Sequence, residues 1–292
     1  MRAVIDIGTN TVLLLIAERR ADGSVHVVED HARIARLGQG VAQSGRLLPE
    51  AIARTVAVLA EYRDVAAKHH AEIVAVATEG LRMAGDPTPF LEPAQRTLGA
   101  PIRLISGDEE AELSYRSVAS ESAGGPLRVL DIGGASTELV VGDGVHIGAR
   151  RSHPIGSVRL TERFVHHDPP SPEEIAAIED TAMLAFSSEP LPPHPELHGL
   201  AGTVTCAGAL LLGLTAYDRE RVDGSRFALA EIVGLRDQLA AATLAERLAM
   251  PVLGTGRADV IVAGMTILVA ALRHCGADTL VVRDRGLRFA LV

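Results

Sequence analysis

The chain of 292 residues has no tryptophan, two cysteines and one lysine, and aromatic residues make up 3% of it. Each scarcity excludes something. Cys206 and Cys275 stand far apart and outside any Cys-x-x-Cys pair, which argues against a disulfide framework or a cysteine zinc site. A reducing, cytoplasmic setting is expected. No apolar run reaches the roughly 20 uninterrupted residues that span a bilayer. The N-terminus also shows none of the basic segment, apolar stretch and small-residue cleavage site of a secretory signal, so no membrane partner is expected. The net charge of −9, from 28 basic and 37 acidic residues, argues against nucleic acid as a partner. A polyanion would have to be gripped locally. With Lys68 the only lysine, that grip would fall to arginine, whose guanidinium takes phosphate oxygens two at a time. GC-rich coding DNA produces the same bias toward arginine.

Apolar residues are plentiful. They form 47% of the chain, enough for a sizeable core, and the length is most simply read as two domains. Their pattern predicts strands over 2–7, 11–17 and 24–36, a long helix after Pro49, a strand over 73–77, a short helix over 90–98, a strand over 103–105 and a helix over 108–119. In the long helix Ile52, Val56, Leu59 and Tyr62 recur at spacings of 3 and 4, the mark of one buried face. Gly124-Gly125-Pro126 is the best linker, setting domains of 1–123 and 124–292. Beyond it the order restarts, with strands over 128–130, 136–141 and 145–151, then helices, including one after Ser171-Pro172. A strand over 197–201 follows, then a helix from Thr203, a helix over 258–273, a strand over 279–282 and a short closing helix. Near-continuous apolar strands alternating with helices predict an α/β fold with mostly buried sheets.

Both halves open in the same way. Asp6-Ile7-Gly8 ends one apolar run and Asp131-Ile132-Gly133 another, 125 positions apart, and each is followed by small and hydroxyl residues before an apolar run resumes. An ancient duplication leaves this pattern. Glycine at Gly8, Gly133 and Gly134 allows a strand-to-strand turn whose amides point outward together and attract anions; it would equally serve an ordinary hairpin needing positive φ. Thr9, Asn10, Thr11, Ala135, Ser136 and Thr137 complete the two turns, most adding hydroxyl or amide donors. Asp6, Asp131 and Glu138 place carboxylates beside these cradles. A carboxylate next to phosphate is repulsive unless a cation lies between, so Mg²⁺ is the economical expectation.

Three further features bear on an anion site. In "SGDEEAELSYRSVA", residues 106–119, Ser106 and Glu109 have capping-box spacing, Ala111, Tyr115 and Val118 form a buried stripe, and Glu110, Ser114 and Ser117 share another face. Glu110 could reach a water beside a bound phosphate and act as general base, with a first-turn Glu favoured simply by the helix dipole as the plain alternative. Arg82 follows the strand over 73–77, at the edge where α/β sheets bind ligands, and could neutralise a substrate phosphate, with a solvated surface arginine as the plain alternative. Gly202 and Thr203 open a helix whose free amides could hold another anion, or Thr203 could simply cap it. Pro195 between His194 and His198 argues against a helical metal pair, and the eleven histidines are expected to be structural or solvated.

Together the segments "DIGTNTVLLLI", "ATEGLRMAGD", "SGDEEAELSY", "DIGGASTELVVG", "PIGSVRLTERF", "GLAGTVTCAGAL", "GRADVIVAG" and "DRGLR" resemble, in order and over almost the whole chain, the exopolyphosphatase and guanosine pentaphosphate phosphohydrolase (Ppx/GppA) family of the actin-like ATPase superfamily. The resemblance implies two ribonuclease-H-like domains with the active site in the cleft between them. It also implies Mg²⁺-dependent hydrolysis, with Mn²⁺ as an alternative ion, of the terminal phosphoanhydride of inorganic polyphosphate. Guanosine pentaphosphate (pppGpp) is the alternative substrate, a phosphate-chain sensor without turnover the non-enzymatic alternative, and a homodimer is plausible. The family's catalytic glutamate falls on Glu110, and the acidic residues of its second loop on Asp131 and Glu138. Three positions depart from the family pattern: Ala135 replaces a glycine, Val12-Leu13-Leu14 lacks a basic or polar residue, and Gly256 stands where Glu is common. The length resembles the short family members, so a preference for shorter phosphate chains is expected.

Overall fold

The computed structural model describes residues 1–122, 124–144, 146–188 and 191–292. The expected strand start at Val145 and the expected domain limit at residue 123 lie outside the described residues. Packing divides the chain into a first unit, Met1–Leu113 with Leu287–Val292, and a second, Ser114–Gly286.

The first unit contains β1 (Arg2–Ile7), β2 (Thr11–Arg19), β3 (Val25–Ile34), α1 (Val41–Ser44), α2 (Pro49–Lys68), β4 (Glu72–Ala77), α3 (Glu79–Arg82), α4 (Thr88–Leu98), β5 (Ile102–Leu104) and the start of α5 (Gly107–Ala119). Its sheet runs β3-β2-β1-β4-β5, antiparallel from β3 to β1 and parallel from β1 to β5. Alternation along each strand fills both faces. Ile5, Ile7, Val12 and Leu14 join Leu59 and Tyr62 of α2 and Phe90 of α4 in one core. The stripe expected on α2 is rotated slightly: Ala51, Thr55, Leu59, Tyr62 and Ala66 are buried, while Ile52 and Val56 pack at the margin. On the other face Val4, Leu15 and Ala17 are covered by Phe289 and Val292, in and just after a closing 3₁₀ helix, Leu287–Leu291. That segment is tied down by polar contacts too. Arg288 is buried and its Nη1 reaches the Asp30 carboxylate and, at 3.4 Å, Leu14 O.

The second unit, after the remainder of α5, repeats the plan with β6 (Leu127–Ile132), β7 (Thr137–Gly142), β8 (Ile147–His153), α6 (Ser157–Phe164), α7 (Pro172–Phe186), β9 (Glu196–Leu200), α8 (Ala201–Leu211), α9 (Arg219–Val222), β10 (Arg226–Ala228), α10 (Leu229–Ala241), α11 (Leu244–Ala249), α12 (Ile261–His274) and β11 (Thr279–Val282). Its sheet order is β10-β11-β9-β6-β7-β8. Read from β8, it reproduces the order and strand directions of the first sheet, with β10 added at the far edge. All residues of α12 from Ile261 to Leu272 are buried. A helix apolar on every side has to be central, and α12 packs against α6, α7, α8 and α10. No helix among the described residues is long and apolar enough to cross a membrane.

Phe289 is 3% exposed, so Phe289→Ala should cost about 3 kcal/mol or more, read as a lower urea midpoint, because it empties the lid over Val4 and Leu15. His198 gives a pH prediction. It lies on β9, between β6 and β11. Burial, with the nearby Arg283 charge, pushes its imidazole from an ordinary 6.5 down to about 4. The unfolded chain then binds more protons between these values, so the stability associated with neutral His198 is present above about pH 6.5 and lost as pH falls toward 4. His198→Leu should remove that dependence, so that between pH 7 and pH 4 the wild type loses about 3 kcal/mol more unfolding free energy than the variant.

Candidate active site

The two Asp-Ile-Gly turns close in the same way. Gly8 N–H donates to Thr11 O and Gly133 N–H to Ser136 O, each at 3.0 Å. A Cβ on either glycine would lie 3.1 Å from that same acceptor oxygen, and neither glycine has positive φ. Glycine therefore relieves a tight approach at these positions and does not serve the left-handed conformation an ordinary hairpin would demand. The turn carbonyls are taken up by the segment that follows. Thr9 O accepts from Gly38 N at 2.9 Å, and Asn10 O from Ala35 N and Arg36 N at 3.1 and 3.0 Å. Gly133 O accepts from Ser157 N at 3.0 Å, and Gly134 O from Val158 N and Arg159 N at 2.9 and 3.0 Å. In a trans peptide C=O and N–H point opposite ways. Capturing these carbonyls on one side directs the amides of Asn10, Thr11, Gly134 and Ala135 to the other, which is how backbone makes an anion cradle. Ala135 is 1% exposed and adopts the turn without positive φ, so this position does not call for glycine's left-handed freedom.

In the second unit Asp131 and Glu138 are directly opposed across the β6–β7 ladder. Opposed residues share a face, and two like charges there repel unless a proton or cation is shared. Asp131 is partly buried and Glu138 is 1% exposed. Burial pushes the Asp131 carboxyl up, while the hydrogen bond from Ser114 pulls it down. In the first unit Leu13 occupies the place opposite Asp6. Among the described residues no group of three His, Cys, Asp or Glu forms a ready-made metal site. An opposed pair of carboxylates still fits Mg²⁺, which uses hard oxygen donors and takes one or two carboxylates beside substrate phosphate and water.

Other expected residues leave the same sheet edges. Ala77 pairs with Ile7, so Thr78 and α3 start beside the first turn, and a Cβ on Gly80 would lie 2.7 Å from Thr9 Oγ1. Arg82 is not a solvated arginine. Its guanidinium donates to Glu79 Oε2 at 2.9 Å, to Glu110 Oε2 at 3.1 Å and to Ile105 O, which joins α3 to α5. Glu110 is 8% exposed. Only half of the expected capping box forms: Glu109 N donates to Ser106 Oγ at 3.1 Å, but the Glu109 carboxylate binds Arg103. Ser114 and Ser117 are also buried, so α5 is enclosed on both faces. In the second unit Leu200 pairs with Asp131, placing Gly202 and Thr203 at the edge that carries Gly133. Thr203 does not cap α8 and packs against Gly264 of α12. Arg257, which the sequence reading passed over inside "GRADVIVAG", lies against Gly202, and its Nη1 donates to Cys206 Sγ at 3.0 Å. Its only sequence signal was its place in that motif.

Two sheets of the same order, each with an Asp-Ile-Gly turn, belong to the actin-like ATPase two-domain fold. Within that fold, the chain belongs to the Ppx/GppA phosphatase family, whose sequence model matches residues 15–291. It is 39% identical to exopolyphosphatase 2 of Mycobacterium tuberculosis over 97% of this chain and 94% of that protein. It is also 32% identical to guanosine-5'-triphosphate,3'-diphosphate pyrophosphatase of Vibrio vulnificus, over 99% of this chain and 58% of that protein. The crystal structure of the Aquifex aeolicus Ppx/GppA family member superposes with a TM-score of 0.83 and 34% identity, covering 99% of this chain and 95% of that one.

A Cβ on Gly156 would lie 2.5 Å from the Gly134 backbone, whereas one on Gly148 would meet Val141 O at 3.5 Å. Gly156→Ala should therefore displace the second turn and lower unfolding free energy by about 1–3 kcal/mol, with Gly148→Ala as the tolerated control in denaturant titrations.

Proposed function

We propose that this protein is an exopolyphosphatase, hydrolysing the terminal phosphoanhydride of inorganic polyphosphate. The observation that carries the reading is the doubled turn: two turns with the same closure, each with two carbonyls captured by the segment that follows, suit a substrate that offers phosphate groups in series. In this reading the domains are 1–123 and 124–292. Gly8, Thr9, Asn10 and Thr11 of the first turn and Gly133, Gly134, Ala135, Ser136 and Thr137 of the second bind phosphate oxygens. Gly202 and Thr203 add the start of α8. Asp131 and Glu138, with Asp6, would hold a divalent ion, Mg²⁺ or Mn²⁺, which when bound offsets phosphate charge. Glu110 accepts a proton from the attacking water as its oxygen bonds to the terminal phosphorus. The bridging P–O bond breaks, orthophosphate leaves and the chain shortens by one unit. Arg82 orients the Glu110 carboxylate through its 3.1 Å hydrogen bond, and its contacts to Glu79 and Ile105 O keep it there.

A second reading, removal of the 5′ γ-phosphate of pppGpp, is favoured by the similarity to the Vibrio vulnificus protein over 99% of this chain. The same turns would serve, since they recognise phosphate and not a base. Glu110→Gln should lower phosphate release from polyphosphate by about 100-fold or more while leaving its binding within a few-fold. Retained turnover in that variant refutes Glu110 as base. Competition between polyphosphate and pppGpp in one purified preparation identifies the preferred substrate.

A further inference from the structure

Each carboxylate of the opposed pair receives a serine hydroxyl. Ser114 Oγ donates to Asp131 Oδ2 at 2.6 Å, and Ser152 Oγ donates to Glu138 Oε1 at 2.7 Å. The serines come from different elements. Ser114 lies on α5 and is fully buried, whereas Ser152 lies on the edge strand β8, in register opposite Glu138. Ser114 is itself held, because Ser117 Oγ reaches both Ser114 O, at 2.7 Å, and Arg285 O. A hydroxyl has one proton to give, so each serine marks one oxygen of its carboxylate and sets the rotation of the carboxylate plane. Without these donors, two opposed carboxylates would turn apart to relieve their repulsion. Groups that orient the ligands of a metal from behind govern its affinity in this way.

We propose that Ser114 and Ser152 are positioning residues for a divalent cation, holding Asp131 and Glu138 in the rotation that lets the pair share one ion. This rests on the proposal that the pair binds the cation. The test is calorimetric titration of Mn²⁺ into the full chain without substrate, using the wild type, Ser114→Ala, Ser152→Ala, Ser152→Thr and Glu138→Gln. Each alanine variant should bind Mn²⁺ on the order of 10-fold more weakly, and Ser152→Thr, which keeps the hydroxyl, should restore affinity to within a few-fold. Phosphate release should show the same order as a raised Mg²⁺ requirement, with kcat at saturating Mg²⁺ little changed. Alanine variants that bind Mn²⁺ as the wild type does, while Glu138→Gln loses it, overturn the role of the serines and leave the cation pair standing. Equal binding by wild type and Glu138→Gln, or none by either, overturns the cation pair and this inference with it. Ser152, on the less enclosed edge strand, carries the test if Ser114→Ala does not fold.

Discussion

Everything in the candidate site depends on how closely the chain approaches itself in a four-residue turn. At Gly8 and again at Gly133 the amide meets a carbonyl three residues ahead at 3.0 Å, and a side chain there would come within 3.1 Å of that oxygen. Once the turn is that tight, its carbonyls lie where the next segment can capture them, and planar peptides force the neighbouring amides the other way. The anion cradle therefore follows from backbone geometry. Side chains contribute by leaving room: Gly38 and Gly80 pack on Thr9, and Gly156 packs on Gly134 and Ala135.

The two units share this device and differ in what surrounds it. Opposite the turn-leading aspartate the first unit has Leu13 and the second has Glu138. The cations are placed differently as well. Arg82 lies six positions after Val76, the partner of Asp6, and Cys206 lies six positions after Leu200, the partner of Asp131. Where the first unit carries its guanidinium directly, the second carries a buried thiol with the guanidinium of Arg257 donating to it from another segment. Divergence after duplication has kept the backbone and redistributed the charges.

Much of the fold was legible because its strands are short apolar runs punctuated by Gly, Pro and Asp. The repeated Asp-Ile-Gly pattern carried the two-domain plan, and each expected strand of the second half has a counterpart among β6 to β9 and β11. The region of β10 and α9 to α11 had no reading. These elements are short, and α10 has Leu, Ala, Ile and Val spread around its circumference, so no period stands out. In the candidate site the turn residues and Glu110 were visible through motif spacing. Arg82 was visible as a residue but not as a partner of Glu110, since the two are 28 positions apart.

By itself the sequence determined the placement of chemistry along the chain: the small residues at Gly8 and Gly133, the hydroxyls beside them, and the carboxylates Asp6, Asp131 and Glu138. These are local matters of backbone room and residue type, which adjacent positions encode. Tertiary structure alone decided what each charged group meets. The serines donating to Asp131 and Glu138 and the Arg82 to Glu110 link arise from strand register and helix packing. The tight turn between Asp131 and Glu138 already sets those two opposite each other, but the serine and arginine contacts join separate elements, and no local pattern specifies them.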